Sequence, residues 1–511
     1  MLGWLVTAPL AVLRWLFSPI PLTVIVLLLA LAYHRFTKNF DFWKSRGVPG
    51  PRPCLPWGTE FGSGFSRVIE FESWLYHEHG GKQFCGFFEM HKPVLFVGDL
   101  DLIRSITIKD FDYFANQRDQ IGSDFWTESL FLLKGAEWKE TRTVMSPTFS
   151  ASKLKAMHQL TMNNAKNLTK YVRSQMAEEA EVEIKDASGR FTMDNIAACA
   201  FGVNCNSFVD PNCQFAVTAA KLSSFNVQIL IRFLAETFLP HSIAKWFPDY
   251  SMKVGAFFKD VVMKTMAHRE KSPSATRDFL QLLMDTKDKD GKRILSDSSI
   301  VTQSSLFLVA GYDTTSLLLT FAAYCLALDQ EIQQRVQQEI DEALERHGGL
   351  TYEAIQDMPY LDRVMAETLR LYSPATRLER ACSKDYILPG TDVHIPAGTV
   401  VVIPVLVMHR DPDNYPDPLR FDPDRFLPKE RERRHPCAYI PFGSGPRNCI
   451  AQRFALFEAK VALVSLLREL TLKPTPETPP HPMPLDPDGF LTMPKDRKVP
   501  LLAVPRQTTT E

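Results

Sequence analysis

The residue types with the most chemical potential lie in Pro441-Phe442-Gly443-Ser444-Gly445-Pro446-Arg447-Asn448-Cys449-Ile450-Ala451, a glycine- and proline-rich loop running into a helical pattern. Its single cysteine is a candidate iron ligand. Gly443 and Gly445 can adopt backbone angles closed to other residues, so the chain can fold tightly beneath a flat ligand. Backbone N–H groups at a loop-to-helix junction point toward the sulfur, and a helix N-terminus favours negative charge, which predicts that Cys449 is held as thiolate. Phe442 would shield the sulfur, and Arg447 would pair with an anionic group of the ligand. The competing reading makes Cys449 one more buried free thiol.

A second candidate is Ala310-Gly311-Tyr312-Asp313-Thr314-Thr315, an odd run inside the apolar residues 301–328. That stretch is too long and too apolar to lie on a surface, so it should cross the middle of the molecule as a helix. Ala310 and Gly311 remove bulk against a flat cofactor. The Thr314 hydroxyl can bond a carbonyl one turn back and open the helix locally. An unpaired Asp313 would be costly there, so it needs a partner or water. A helix bend without chemistry is the alternative.

Other pairs gain meaning from spacing. Trp138 and Arg142 share one helix face, as do Glu367 and Arg370. Arg425 lies in the proline-led run Pro423-Asp424-Arg425-Phe426. Residues 92–97 and 400–403 read as strands, residues 331–344 as an amphipathic helix with a solvated face, and residues 285–293 as a solvated loop.

Composition sets the frame. The 511 residues are 45% hydrophobic and 23% charged with net charge -1, which suits a large globular core and argues against nucleic acid as a partner. Nine cysteines without a Cys-x-x-Cys pair point to a reducing compartment rather than a disulfide framework or structural zinc; Cys199, Cys205 and Cys213 read as core thiols. Residues 1–36 are strongly apolar and are followed by basic residues, which predicts a membrane anchor with the body on the cytosolic side. A cleaved secretory signal is the rival reading. Residues 37–53 form a basic, proline-rich linker, and 54–511 one catalytic body. The aromatic-rich residues 205–270 are either ordinary core or an apolar channel cover touching lipid, and the basic run 429–434 is either a solvated loop or a docking site for an acidic redox partner.

The cysteine loop, the Asp313-Thr314 helix, Trp138/Arg142, Glu367/Arg370 and Arg425 occur in one order that resembles the motifs of the cytochrome P-450 superfamily, the haem-thiolate monooxygenases, over nearly the whole chain after residue 47. Ala451 stands where the family usually has Gly. The chain looks most like the microsomal branch of vertebrate drug- and steroid-oxidising and arthropod detoxification enzymes. The resemblance implies a mainly α fold with a small β region (α+β) and an N-terminal transmembrane helix in the endoplasmic reticulum. It implies haem b on Cys449, whose thiolate would favour O–O cleavage. Trp138, Arg142, Arg380 and Arg447 would surround the propionates, with Ala310 and Phe442 against the haem and Asp313-Thr314 as the acid–alcohol pair that delivers protons. Glu367, Arg370 and Arg425 would form a buried structural network. Residues 117–130, Ala375, Thr376 and the turn Asp488-Gly489-Phe490-Leu491 would line the pocket. Electrons would come from NADPH through a flavoprotein reductase carrying FAD and FMN, with cytochrome b5 as a further partner. The substrate would be a small apolar xenobiotic, steroid, fatty acid or terpenoid. A haem-thiolate isomerase or dehydratase acting on a peroxide without a reductase is the alternative, and a haem sensor a more distant one.

Overall fold

A computed structural model of the chain describes residues 19–506 except 56–57, 60–66, 119–123, 178–180, 223–227, 229–230, 233–234, 236–240, 245, 248–249, 272–277, 288 and 488–490. In chain order, the helices that build the site are α1 (Pro19–Thr37), α2 (Gly135–Met145), α3 (Ala151–Ala177), α4 (Ile184–Phe201), α5 (Gln214–Leu222), α6 (Tyr250–Lys271), α7 (Asp297–Leu328), α8 (Gln330–His347), α9 (Pro359–Leu371) and α10 (Gln452–Leu467). Nothing in α7 interrupts its 32 residues, and the Ser296 side chain caps its start by accepting the Ser299 N–H. Asp329 ends α7 and at once caps α8 by accepting the Ile332 N–H. Helices α4 and α10 pack along α7, which is why an apolar sequence this long is stable inside the body.

The strands are few. β1 (Phe84–Glu89), β2 (Lys92–Val97), β4 (Leu378–Ala381) and β7 (Val400–Ile403) form one sheet in the order β1-β2-β7-β4, with β2 and β7 parallel at Val94 opposite Val400. β3 (Val182–Glu183), β8 (Leu470–Pro474) and β9 (Pro500–Pro505) form a second sheet, and β5 (Tyr386–Ile387) pairs with β6 (His394–Ile395). The mainly helical architecture with a small β region, and both strands expected at 92–97 and 400–403, are as the sequence implied.

Three expectations are refined by packing. Gln333 and Gln337, read as part of a solvated face of α8, are buried. Gln333 donates to Leu326 O and Leu472 O and accepts the Leu472 N–H at 2.8 Å, so it splices α8 to β8. The proline-rich linker is stitched to β1: Gly86 N–H donates to Pro49 O at 2.7 Å, and the Trp43 indole, packed on Gly86, donates to Phe87 O at 3.0 Å. The basic run adopts a short exposed helix, Pro428–Arg433.

Helix α1 exposes Val24, Val26, Leu27, Leu29 and Leu31 and ends in His34 and Arg35. Residues 1–18 of the expected anchor lie outside the described residues. Of the aromatic region, Phe225 and Phe238 also lie outside them, while Trp246 is 88% exposed.

Candidate functional site

Two left-handed glycines shape the cysteine loop, Gly443 at φ 77° and Gly445 at φ 74°. A Cβ on Gly445 would fall 1.7 Å from Thr107 O, in the π-helical turn Ser105–Lys109, so only glycine lets the loop dock there. The loop is closed by Cys449 N–H donating to Phe442 O at 2.8 Å, and α10 begins directly after Ala451. Ala451 sits at φ -97°, a conformation any residue adopts, so the departure from glycine introduces no strain.

The Cys449 side chain opens into a cavity of about 370 Å³ that Ala310, Gly311 and Thr314 bound from α7. Trp138, Arg142, Arg380, Phe442 and Arg447 line it as well, with walls of leucine and phenylalanine. Burial pushes the Cys449 thiol above its ordinary value, while the Ala451 N–H and the Arg142 guanidinium pull it down. A coordinated metal ion would add to the pull of the Ala451 N–H and Arg142 toward the thiolate.

Three arginines meet at one end. Burial lowers Arg142, Arg380 to about 10, and Arg447 to about 9; for Arg447, repulsion from Arg380 and Arg142 adds to it. Arg447 is clasped by the carbonyls of Ala115 (2.5 Å), Phe131 (3.2 Å) and Leu133 (2.5 Å) and lies over the Trp138 ring at 4.4 Å. Arg142 donates to Asn448 O and Oδ1, both at 2.9 Å. These acceptors are neutral, and among the described residues the buried Arg380 Nε has no hydrogen-bond partner and no carboxylate lines the cavity. A sulfur facing apolar walls beside uncompensated guanidinium groups fits a flat, apolar, metal-bearing group with carboxylates at one edge, which is the chemistry of haem b.

On the opposite wall, Thr314 Oγ1 donates to Ala310 O at 2.5 Å, one turn back, as the sequence suggested. The expected local opening of the helix does not occur: α7 is continuously α-helical, and the room comes from the small side chains of Ala310 and Gly311. Asp313 is buried on another face of α7 and does not line the cavity; it is attracted to Lys185, whose ammonium donates to Ser316 Oγ at 3.1 Å. That neighbour supplies the compensation a buried carboxylate requires.

Thr376 corrects another expectation. It is 3% exposed, its carbonyl accepts the Leu406 N–H, and only Ala375 of the pair lines the cavity. Within 117–130, Gln117 and Leu130 line it while residues 119–123 lie outside the described ones. The turn tip 488–490 also lies outside them; Leu491 bridges to Ala375.

Below the loop, Glu367 and Arg370 form a fully buried two-pronged pair at 2.7 Å for each contact. Arg425 Nε stands 3.5 Å from Glu367 and its NH2 donates to Asp417 O. Arg370 also donates to the carbonyls of His409, Pro418 and Arg420, so the pair gathers the irregular chain that leads to the cysteine loop.

The Cytochrome P450 family profile matches residues 49–501. The chain belongs to the cytochrome P450 family. It is similar to probable cytochrome P450 6a13 of Drosophila melanogaster, 37% identical over 89% of this chain and 94% of the relative. It is also similar to cytochrome P450 3A16 of Mus musculus, 36% identical over 91% and 93%, and to cytochrome P450 3A29 of Sus scrofa, 37% identical over 94% and 96%. As a cytochrome P450 of this kind it is a monooxygenase that uses haem b and takes NADPH electrons by way of a reductase.

Sequence reasoning missed part of this P450 cavity. Phe149, Phe279, Phe307 and Phe454 form a ring cluster with centroid distances of 4.8–5.6 Å along its wall. It missed Glu458 too, on α10 one turn beyond Phe454, which burial pushes up to about 8, with Asn195 and Thr315 beside it. The phenylalanines come from four separate segments, so no local signal marks them; a glutamate in the apolar run of α10 was the one readable anomaly.

Proposed function

We propose that this P450 inserts one atom of dioxygen into a small apolar substrate of the xenobiotic, steroid, fatty-acid or terpenoid classes. Its partners would be an NADPH-dependent flavoprotein reductase and, as accessory donor, cytochrome b5. Its anchor would hold it by a single N-terminal span in the endoplasmic reticulum membrane, the body facing the cytosol. Haem b, when bound, supplies the activation of dioxygen. Cys449 is the metal ligand and Phe442 shields its sulfur. Arg142, Arg380 and Arg447 hold the carboxylates, with Trp138 beneath Arg447 fixing its plane.

Ala310 leaves space on the other face, and the leucine and phenylalanine walls exclude water and admit apolar substrates. The Thr314 hydroxyl, which donates to Ala310 O in the resting structure, would turn from that carbonyl to hand a proton into the cavity. Asp313, one position back on the face beside Lys185, would replace it by way of water rather than by direct contact. Steering the proton this way directs reduced oxygen to the substrate rather than to release as hydrogen peroxide. The Glu367, Arg370 and Arg425 network holds the segment under the loop, and the exposed Pro428–Arg433 helix offers positive charge to an acidic partner.

The observation that carries this reading is the Cys449 sulfur facing a carboxylate-free apolar cavity with three arginines at one end. The test is the absorption spectrum of dithionite-reduced protein with carbon monoxide, followed by NADPH consumption with reductase and substrate. A strongly red-shifted Soret band with substrate-dependent consumption is expected. A band at the position of histidine-ligated haem would overturn the ligand, and turnover of a peroxide without NADPH would favour the isomerase or dehydratase.

A further inference from the structure

Cys205 and Cys213 take no part in the site, yet their sulfurs lie 3.0 Å apart. Cys205 follows the end of α4, and Cys213 immediately precedes α5. The loop between them is wound on itself: Val209 and Asp210 N–H donate to Asn206 O, and Cys213 N–H to Asp210 O. Its base is pinned to α4, where both Asp194 oxygens accept the Ser207 N–H. A disulfide needs about 2.05 Å between sulfurs. The remaining approach is about 1 Å, within the reach of side-chain rotation.

The two thiols are not equivalent. Cys213 is half-buried and reachable from solvent, whereas Cys205 is 7% exposed. The Cys213 sulfur accepts the Ala216 N–H at 3.4 Å in the first turn of α5, which fixes it at the loop's outer edge. Burial, with the neighbouring Cys213 second, pushes the Cys205 thiol up.

We propose that Cys205 and Cys213 are a peroxide-oxidisable pair, with Cys213 attacked first and Cys205 resolving it to a disulfide that staples α5 to the end of α4. The Cys213 sulfur attacks one oxygen of hydrogen peroxide; the O–O bond breaks, giving a sulfenic acid and one water. The Cys205 sulfur then attacks the oxidised sulfur; the S–O bond breaks, and the hydroxyl leaves with the Cys205 thiol proton as a second water. Two thiols lose two electrons and one peroxide gains them. Because α5 packs against α6 and α7, the staple restrains that side of the molecule beside the cavity.

The test treats full-length, haem-loaded protein with hydrogen peroxide, denatures it in N-ethylmaleimide, and maps each cysteine by peptide mass. Labelling of Cys205 and Cys213 should fall together, their peptides should appear joined, and dithiothreitol should restore both. Cys205→Ser should leave a sulfenic acid on Cys213 that dimedone traps. Full labelling of both cysteines under conditions that oxidise the exposed Cys54 would overturn the pair, and so would dimedone adducts on Cys205 rather than Cys213 in the unsubstituted protein.

Discussion

Around Cys449 the chain is tied down by left-handed glycines, by arginines clasped in carbonyls and by the buried Glu367–Arg370 pair beneath, whereas along α7 the cavity wall is defined by what Ala310 and Gly311 leave out. The first region resists displacement because Arg370 and Arg447 are each held by several partners, and removing one strands the rest. The second is shaped by side-chain volume on a helix whose backbone bonds are complete, so its chemistry can change without the fold. In the proposed reading, one side bears a charged, heavy ligand and the other leaves room and moves protons.

Substitutions measure how far that contrast extends. Cys449→Ala should abolish the red-shifted Soret band of the reduced carbonyl complex altogether; a surviving thiolate spectrum would disprove the assignment. Glu367→Ala should strand Arg370 in the core and cost about 3–5 kcal/mol of stability, read as the urea midpoint, with a matching loss of haem-loaded protein. A cost near zero would mean that the cysteine region is not fastened through this pair.

Thr314→Ala, by contrast, should keep haem and stability to within about 1 kcal/mol, yet lower product per NADPH by roughly tenfold or more while peroxide rises. Unchanged coupling would remove the proton role. Glu458 joins the two regions, since it lies on α10 facing Thr315 of α7. Its folded pKa of about 8 lies above the ordinary carboxylate value of 4.5, so its stabilising effect is complete below that value and is lost as pH rises toward 8. Glu458→Gln should flatten that loss, by at most about 1.4 kcal/mol per pH unit. Identical pH slopes in both proteins would show that the carboxyl titrates normally.

Much of the candidate site was legible because its key residues sit in short local patterns. Gly443, Gly445 and Cys449 lie within seven positions, and Glu367 and Arg370 within one turn. The exceptions share a cause. Thr376 and Ala375 are adjacent, yet only Ala375 reaches the cavity, while the Thr376 carbonyl is tied to the Leu406 N–H from a segment thirty residues on. Gln333 and Gln337 look solvated until β8 arrives from far along the chain to bond them.

The amino-acid order by itself determined the candidate ligand cysteine, the long apolar helix, the helical class with its few strands, and the family, because each rests on spacing within a helix turn, a strand or a tight loop. Only the tertiary structure decided that Asp313 faces Lys185 rather than the cavity, that three arginines crowd one end without a carboxylate, that Glu458 is buried against α7, and that Cys205 meets Cys213. Which way a residue points on a buried helix, and what desolvates it, depends on segments distant in the chain that pack against it, and no local pattern carries that information.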